Sequence, residues 1–507
     1  MRAEQSIKNS IVSLIIQVGT LLLSFVSRTV LIKTLGEEYL GINGLFSNIL
    51  SMLSLAELGV GSALIYLMYK PMAENDEHKL SILMSVYAKV YNIIGLIILV
   101  VGLALVPFLD FFMKETPDIE HITLIYILYV INMSVSYFFV YKNSIINVAQ
   151  KNYIVNMIKF ICTVIQNIFQ IIILLLFKNY IIYYSCTIVF TLIGNVWVSN
   201  KADRMFPFIK VRSKERLLPQ EKKSIIKNIS AMFLHKIGYF MVFCTDNLII
   251  SKFVGVVQVG LYSNYTMITS AVNTFISLIY SSITASVGNL VSSESKSKSY
   301  SVFKDIYFAS SWLNGFCAIC LYVLLNPFIT IWIGEKYTFS NSIVLFIVIN
   351  FYLTNMRRTA NIFKETAGLF WNDRYKPIIE SIVNLVFSLI LVYKIGILGV
   401  FIGTTISTVT VCLWVEPYVL FKHLYGKSVL EYFKLFFKYF FITVASLGII
   451  LLITSTFNEV TLLNFIFRIF LCIIIPNAIF LILFHKNEEF VYFKNIILKI
   501  VHRKKIK

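Results

Sequence analysis

The residues of this chain able to do chemistry are few, and they stand inside apolar runs. Arg28, Glu57, Lys159, His235, Lys236 and Asp246 each interrupt a hydrophobic stretch. An ionisable group at membrane depth costs on the order of 3 kcal/mol on insertion scales, so it normally faces protein or water and marks a path for ions or substrate. Arg28 needs something anionic beside it. One reading pairs it with Asp246; the other makes Arg28 an anion-binding group and Asp246 a gating or ion-coupling carboxylate. Glu57 has no cation near it in sequence, so it is either held protonated by desolvation, titrates during transport, or is a passive hydrogen-bonded carboxyl. Lys159, His235 and Lys236 stand toward the inner ends of their runs. There they serve to guide an anionic headgroup inward, unless the two lysines snorkel to the interface and His235 is a core histidine.

The elements that position these groups are helices with polar stripes. Ser13, Gln17, Thr20, Ser24 and Arg28 recur at helical spacing along the first apolar run, as do Asn43, Ser47, Ser51, Ser54, Glu57 and Gly61 along the second. Asn228, His235, Tyr239 and Asp246 mark the seventh, and Tyr262, Thr266, Thr269, Asn273, Ser277, Tyr280 and Thr284 the eighth. Polar groups avoid lipid, so these faces imply a hydrophilic cavity between two lobes, lined by helices one, two, seven and eight. Hydrogen-bonded helix packing is the competing explanation. The candidate substrate-binding residues are Arg28, Tyr262, Thr266, Asn273, Lys159 and Lys236, and the candidate coupling or gating residues are Glu57, Asp246 and His235.

The composition demands a membrane. The 507 residues are 58% hydrophobic and 14% charged, with mean hydropathy +0.79. Apolar runs of bilayer-spanning length predict an all-α polytopic membrane protein of about fourteen transmembrane helices. The first half also recurs in the second. Leu35-Gly36 and Leu40-Gly41 return as Val254-Gly255 and Val259-Gly260, Pro107-Phe108 as Pro327-Phe328, and Val130-Ile131-Asn132 as Val348-Ile349-Asn350. Residues 1–200 therefore read as a lobe of helices 1–6, 201–223 as a basic cytoplasmic linker, and 224–423 as a pseudo-symmetric lobe of helices 7–12. Residues 424–485 add two further helices and 486–507 a basic amphipathic tail. Duplicated apolar halves of this kind mark a carrier with its substrate path between them.

The net charge of +19 is explained by position. Lys201, Arg204, Lys210, Arg212, Lys214, Arg216, Lys222 and Lys223 crowd one loop, and Arg357, Arg358, Lys364, Arg374 and Lys376 another. With Met1 inside, both loops are cytoplasmic, and Asp110, Glu115, Asp118 and Glu120 lie outside. Both termini are then cytoplasmic, and no nucleic-acid partner is needed to account for the charge. The first helix reads as uncleaved. Gly426-Lys427-Ser428 lacks the earlier glycine of a phosphate loop, and no His-Glu-x-x-His or nucleophile elbow is present. Cys317-x-x-Cys320 lies within an apolar run without companion ligands and reads as packing. Short outer loops argue against a membrane glycosyltransferase or polymerase.

Ser27-Arg28 followed by Leu35-Gly36, then Gly41-Ile42-x-x-Leu45 and Glu57-Leu58-Gly59-Val60-Gly61, resembles the polysaccharide repeat-unit flippases of the Wzx type, relatives of the multidrug and toxin extrusion (MATE) carriers and of the lipid II flippases. The resemblance implies two six-helix bundles rocking about a central cavity and an undecaprenyl-diphosphate-linked oligosaccharide turned from the inner to the outer leaflet of a bacterial cytoplasmic membrane. Arg28 matches the first-helix arginine that meets the diphosphate in that pattern, and Glu57 and Asp246 become candidates for H+ or Na+ coupling, with no other cofactor. Membrane lipids, a polymerase and glycosyltransferases are the implied partners. The chain departs from the lipid II branch in having few arginines within its spans. Cation-coupled drug export is the nearest rival function.

Overall fold

The computed structural model describes residues 2–57, 60–210, 245–457 and 459–495. His235, Lys236, Asn228, Tyr239, most of the basic linker and the end of the tail lie outside the described residues. Among those described, every regular element is a helix. They run α1 Arg2–Leu35, α2 Glu37–Leu53, α3 Val60–Glu74, α4 Glu77–Ala104, α5 Ile122–Val148, α6 Asn152–Phe177, α7 Tyr180–Met205, α8 Thr245–Ile249, α9 Val256–Ser293 and α10 Lys296–Ile333. Then follow α11 Asn341–Met356, α12 Arg358–Thr366, α13 Lys376–Ile395, α14 Ile397–Ser407, α15 Leu413–Leu420, α16 Leu430–Thr454 and α17 Leu462–Phe484. Eleven described helical segments are long and apolar enough to cross a bilayer. This is the all-α, multi-pass architecture expected from composition.

Side chains set the ends of these helices. Asp76 accepts from the Lys79 N–H at the start of α4, Asn179 from Ile182 at α7, Ser295 from Lys298 at α10 and Thr461 from Asn464 at α17. Each satisfies an amide that the first turn leaves without a partner. Gly36 and Gly255, equivalent in the two halves, both take positive φ, 93° and 137°. An L side chain is strained there, so the repeated Leu-Gly and Val-Gly steps are the breaks that end one helix and start the next.

The chain divides into two compact units, Met1–Ser263 and Asn264–Lys507, with the division falling inside α9. In the first, α5 packs on α4 and α7, and α6 packs on α1 and α7. In the second, α13 pairs with α14, and α10 gathers α11, α16 and α17. The duplicated asparagines do matching work in each unit. Asn132 on α5 donates to the Tyr184 hydroxyl on α7 (3.5 Å), and Asn350 on α11 donates to the Phe401 carbonyl on α14 (3.0 Å) and accepts from Thr405 (2.7 Å).

The second apolar run departs from expectation. It is not one continuous α-helix: α2 ends at Leu53, Ser54–Glu57 tightens into a 3-10 turn, and α3 runs from Val60. Ser47, Ser51 and Ser54 each donate locally, Ser51 and Ser54 to carbonyls one turn back and Ser47 to the Asn43 side chain. Local bonds of this kind compete with the regular helix and bend it.

Candidate functional site

In the first unit, α1 meets α6 along a polar seam. Asn156 donates to Ser13 (3.3 Å), Ser27 donates to Asn167, Asn167 donates to the Thr163 carbonyl (2.7 Å) and Gln170 donates to Thr187 on α7 (2.8 Å). Asn156, Lys159, Thr163, Asn167 and Gln170 fall at steps of three and four, so α6 carries a polar face of its own. Sequence reading singles out Lys159 there and misses the stripe, although the spacing is visible in the chain. Between the two helices a cavity of about 250 Å³ is lined by Ser13, Gln17, Thr20, Asn156, Lys159 and Thr163. A cation among hydroxyls and carboxamides suits a ligand that is anionic at one point and hydroxylated elsewhere.

Further along α1, Arg28 donates to the Ser263 hydroxyl, and Ser263 donates to the Gly260 carbonyl (2.6 Å). Arg28 also lies within electrostatic reach of Tyr183 on α7, as Tyr262 does of Asp246, a buried carboxylate on α8. The first unit therefore gathers Arg28, Asp246 and Tyr262 around the opening turns of α9. The backbones come close there because of glycine. A Cβ on Gly41 would stand 2.3 Å from the Val256 carbonyl oxygen, and one on Gly260 would stand 2.9 Å from the Gly41 nitrogen. The two repeat-equivalent glycines form one crossing between α2 and α9.

Glu57 is held by tyrosines. Its carboxylate accepts from Tyr91 and from Tyr137 (2.9 Å), and Tyr87 donates to Tyr91 (3.3 Å) with the two rings stacked at 4.6 Å. No cation pairs with it among the described residues. Gly61 makes room: a Cβ there would lie 2.5 Å from the Tyr91 hydroxyl. The two hydroxyls fix the orientation of the carboxylate.

In the second unit the α9 stripe has partners. Asn273 accepts from the buried Asn355 (2.9 Å), the Tyr280 hydroxyl accepts from Asn314 (3.3 Å), and Ser277 accepts from Arg358 (2.7 Å). The Arg358 guanidinium lies 5.7 Å above the Tyr280 ring. Asn273 and Tyr280 are thus engaged in packing, and Thr266 lies two turns nearer the start of α9 than Asn273. Arg358, read from sequence as loop charge, is placed against the stripe. Nearby, Glu416 is almost fully enclosed and accepts from Arg357 (3.2 Å) and Lys376 (2.6 Å), with Glu380 3.3 Å from Lys376. Lys364 pairs with Asp373.

The family described as "Polysaccharide biosynthesis protein" matches residues 6–285. Among solved structures, a lipid II flippase, MurJ, in an inward closed conformation superposes with TM-score 0.66 at 16% identity, covering 94% of this chain and 99% of that one. An inward-facing multidrug resistance MATE transporter of the MOP superfamily gives 0.62 at 14% identity over 82% and 99%. A point mutant of the Vibrio cholerae MATE transporter VcmN gives 0.59 at 12% over 84% and 98%. The fold is that of these carriers. No curated protein matches the chain.

Proposed function

The chain belongs to the polysaccharide biosynthesis protein family, and on that premise we propose that it is a flippase, not an enzyme, that turns an undecaprenyl-diphosphate-linked oligosaccharide from the cytoplasmic to the outer leaflet by alternating access. The observation that carries this reading is the α1–α6 wall. Lys159 stands in the α1–α6 cavity among Ser13, Gln17, Thr20, Asn156 and Thr163, and Arg28 stands further along α1, against Ser263. A diphosphate takes one of these cations, sugar hydroxyls take the amides and alcohols, and the carrier lipid stays in the bilayer. Tyr262, Thr266 and Asn273 of α9, with Lys236 and His235, belong to the same proposal. Glu57 and Asp246 are the coupling carboxylates, for H+ or Na+. The protein sits in a bacterial cytoplasmic membrane with both termini inside, where a polymerase and glycosyltransferases make and consume its substrate.

The test is transfer of a fluorescent undecaprenyl-diphosphate saccharide across proteoliposomes, read by a membrane-impermeant quencher. Protein-dependent translocation supports the reading, and its absence under H+ and Na+ gradients of either sign refutes it. One observation favours a second substrate class: a carboxylate among tyrosines, as at Glu57, also suits an organic cation. Uptake of a cationic dye in the same vesicles, without saccharide transfer, would identify a drug exporter instead.

A further inference from the structure

The strongest unassigned feature is a cavity of about 570 Å³ in the second unit, walled by Phe308, Trp312 and Phe316 of α10, Leu481 of α17, and Phe490 and Phe493 of the helical turn at 488–495. Its lining is aromatic and aliphatic, and its size falls in the range of roughly 300–1,000 Å³ typical of small-molecule sites. Trp312 is fixed in place: its indole N–H donates to Asn477 (2.8 Å) and its ring stacks on Phe480 at 5.5 Å, with Phe490 6.2 Å away. The polar edge of the indole is therefore satisfied, and the apolar face remains for the cavity.

Charges of both signs gather at this place: Glu488 and Glu489 of the same helical turn lie within electrostatic reach of Asp305 on α10. Lys494 lines the cavity and is exposed. Lys438 of α16 lies 4.7 Å over the Phe484 ring, which packs on Phe308 at 5.4 Å. Asn477 and Leu481 belong to the last two turns of α17, whose 23 residues span roughly 35 Å, about one bilayer core. The cavity thus lies at one surface of the membrane, where acyl chains give way to headgroups. An apolar slot with a lysine in its lining is complementary to a lipid whose anionic headgroup meets that lysine.

We propose that this cavity is a binding site for an anionic glycerophospholipid, with one acyl chain against Trp312, Phe490 and Phe493 and the phosphate beside Lys494. The site is separate from the substrate path and does not depend on the proposed function. The experiment uses the full chain in phosphatidylcholine vesicles doped with brominated phosphatidylglycerol or brominated phosphatidylcholine. The readout is the part of tryptophan quenching that Trp312→Phe abolishes. Brominated phosphatidylglycerol should reach half-maximal quenching at a mole fraction roughly fivefold lower than the zwitterionic lipid, the preference expected of one lysine near a headgroup. Lys494→Gln should remove that preference and Lys494→Arg keep it; both changes are at an exposed position, so the fold is retained. Equal quenching by the two lipids, or no Trp312-dependent quenching, overturns the proposal. So does stronger displacement of the brominated lipid by undecaprenyl phosphate than by unlabelled phosphatidylglycerol, which would give the cavity to the carrier lipid.

Discussion

The crossing of α2 and α9 at Gly41 and Gly260 offers a sharp perturbation. Gly41→Ala places a methyl 2.3 Å from the Val256 carbonyl oxygen and 2.7 Å from a Val256 methyl, whereas ordinary contact begins at 3.4 Å. The obstacle is backbone, so a rotamer change cannot relieve it, and the two helices have to part by about 1 Å. Overpacking of this order costs about 1–3 kcal/mol, which shifts the balance between a joined and a parted crossing by roughly 5- to 150-fold. Gly44→Ala meets only a Val259 methyl, at 2.9 Å, and should act more weakly. Gly448→Ala, with nothing within 4 Å, is the control. Spin labels at Glu38→Cys and Gln258→Cys, read by double electron–electron resonance in proteoliposomes, report the separation. The expected result is a longer distance population in the Gly41→Ala protein, together with slowed flipping. A distance distribution and flipping rate equal to the parent would refute the close-crossing argument.

Arg28→Ala should lower flipping at least tenfold while the protein still purifies as a folded monodisperse species, and Arg28→Lys should recover only part, because a point charge replaces a planar fork; unchanged transport by the alanine variant removes Arg28 from the path. Tyr91→Phe with Tyr137→Phe strips both donors from Glu57, and the dependence of flipping on the ion gradient should change while Tyr184→Phe leaves it alone; initial rates at stepped gradients decide. Arg358→Ala should weaken transport with little loss of stability, since its partners Ser277 and Tyr280 keep other contacts, and Arg358→Lys should restore most of it. Glu416→Ala leaves two cations buried without their shared anion, a change worth about 3–5 kcal/mol, and a fall in thermal stability in detergent checks it.

The helices bearing Arg28 and the α9 row are legible from spacing alone, because a polar face repeats every three or four residues whatever it touches. The α6 face obeys the same rule. It escapes a linear reading because Asn156, Thr163 and Gln170 are separated by bulky aliphatics that dominate the hydropathy of that run. The tyrosines around Glu57 are illegible for another reason: Tyr87, Tyr91 and Tyr137 count as aromatic filling in a linear reading, and only the packing of α4 on α5 turns the Tyr91 and Tyr137 hydroxyls toward one carboxylate, with Tyr87 behind Tyr91. Arg358 looks like its neighbour Arg357, yet one chain step places the first against α9 and the second against Glu416. The repeat of Leu-Gly is visible in sequence, whereas the meeting of Gly41 with Gly260 needs the fold.

The pairing of Arg357 and Lys376 with Glu416 also bears on how the protein enters the bilayer. Ribosomes deliver the chain from its N-terminus at about 5–20 residues per second, and Glu416 follows Lys376 by 40 residues and Arg357 by 59. Lys376 finds Glu380 one turn away as soon as α13 coils. Arg357 has no such early companion in its ion network, and for several seconds it has to be held at the water boundary or by the translocation machinery. Insertion of the α11–α13 region is therefore finished only when α15 emerges, and a ribosome stalled between these positions should leave a nascent chain open to proteases and to quality control at that point.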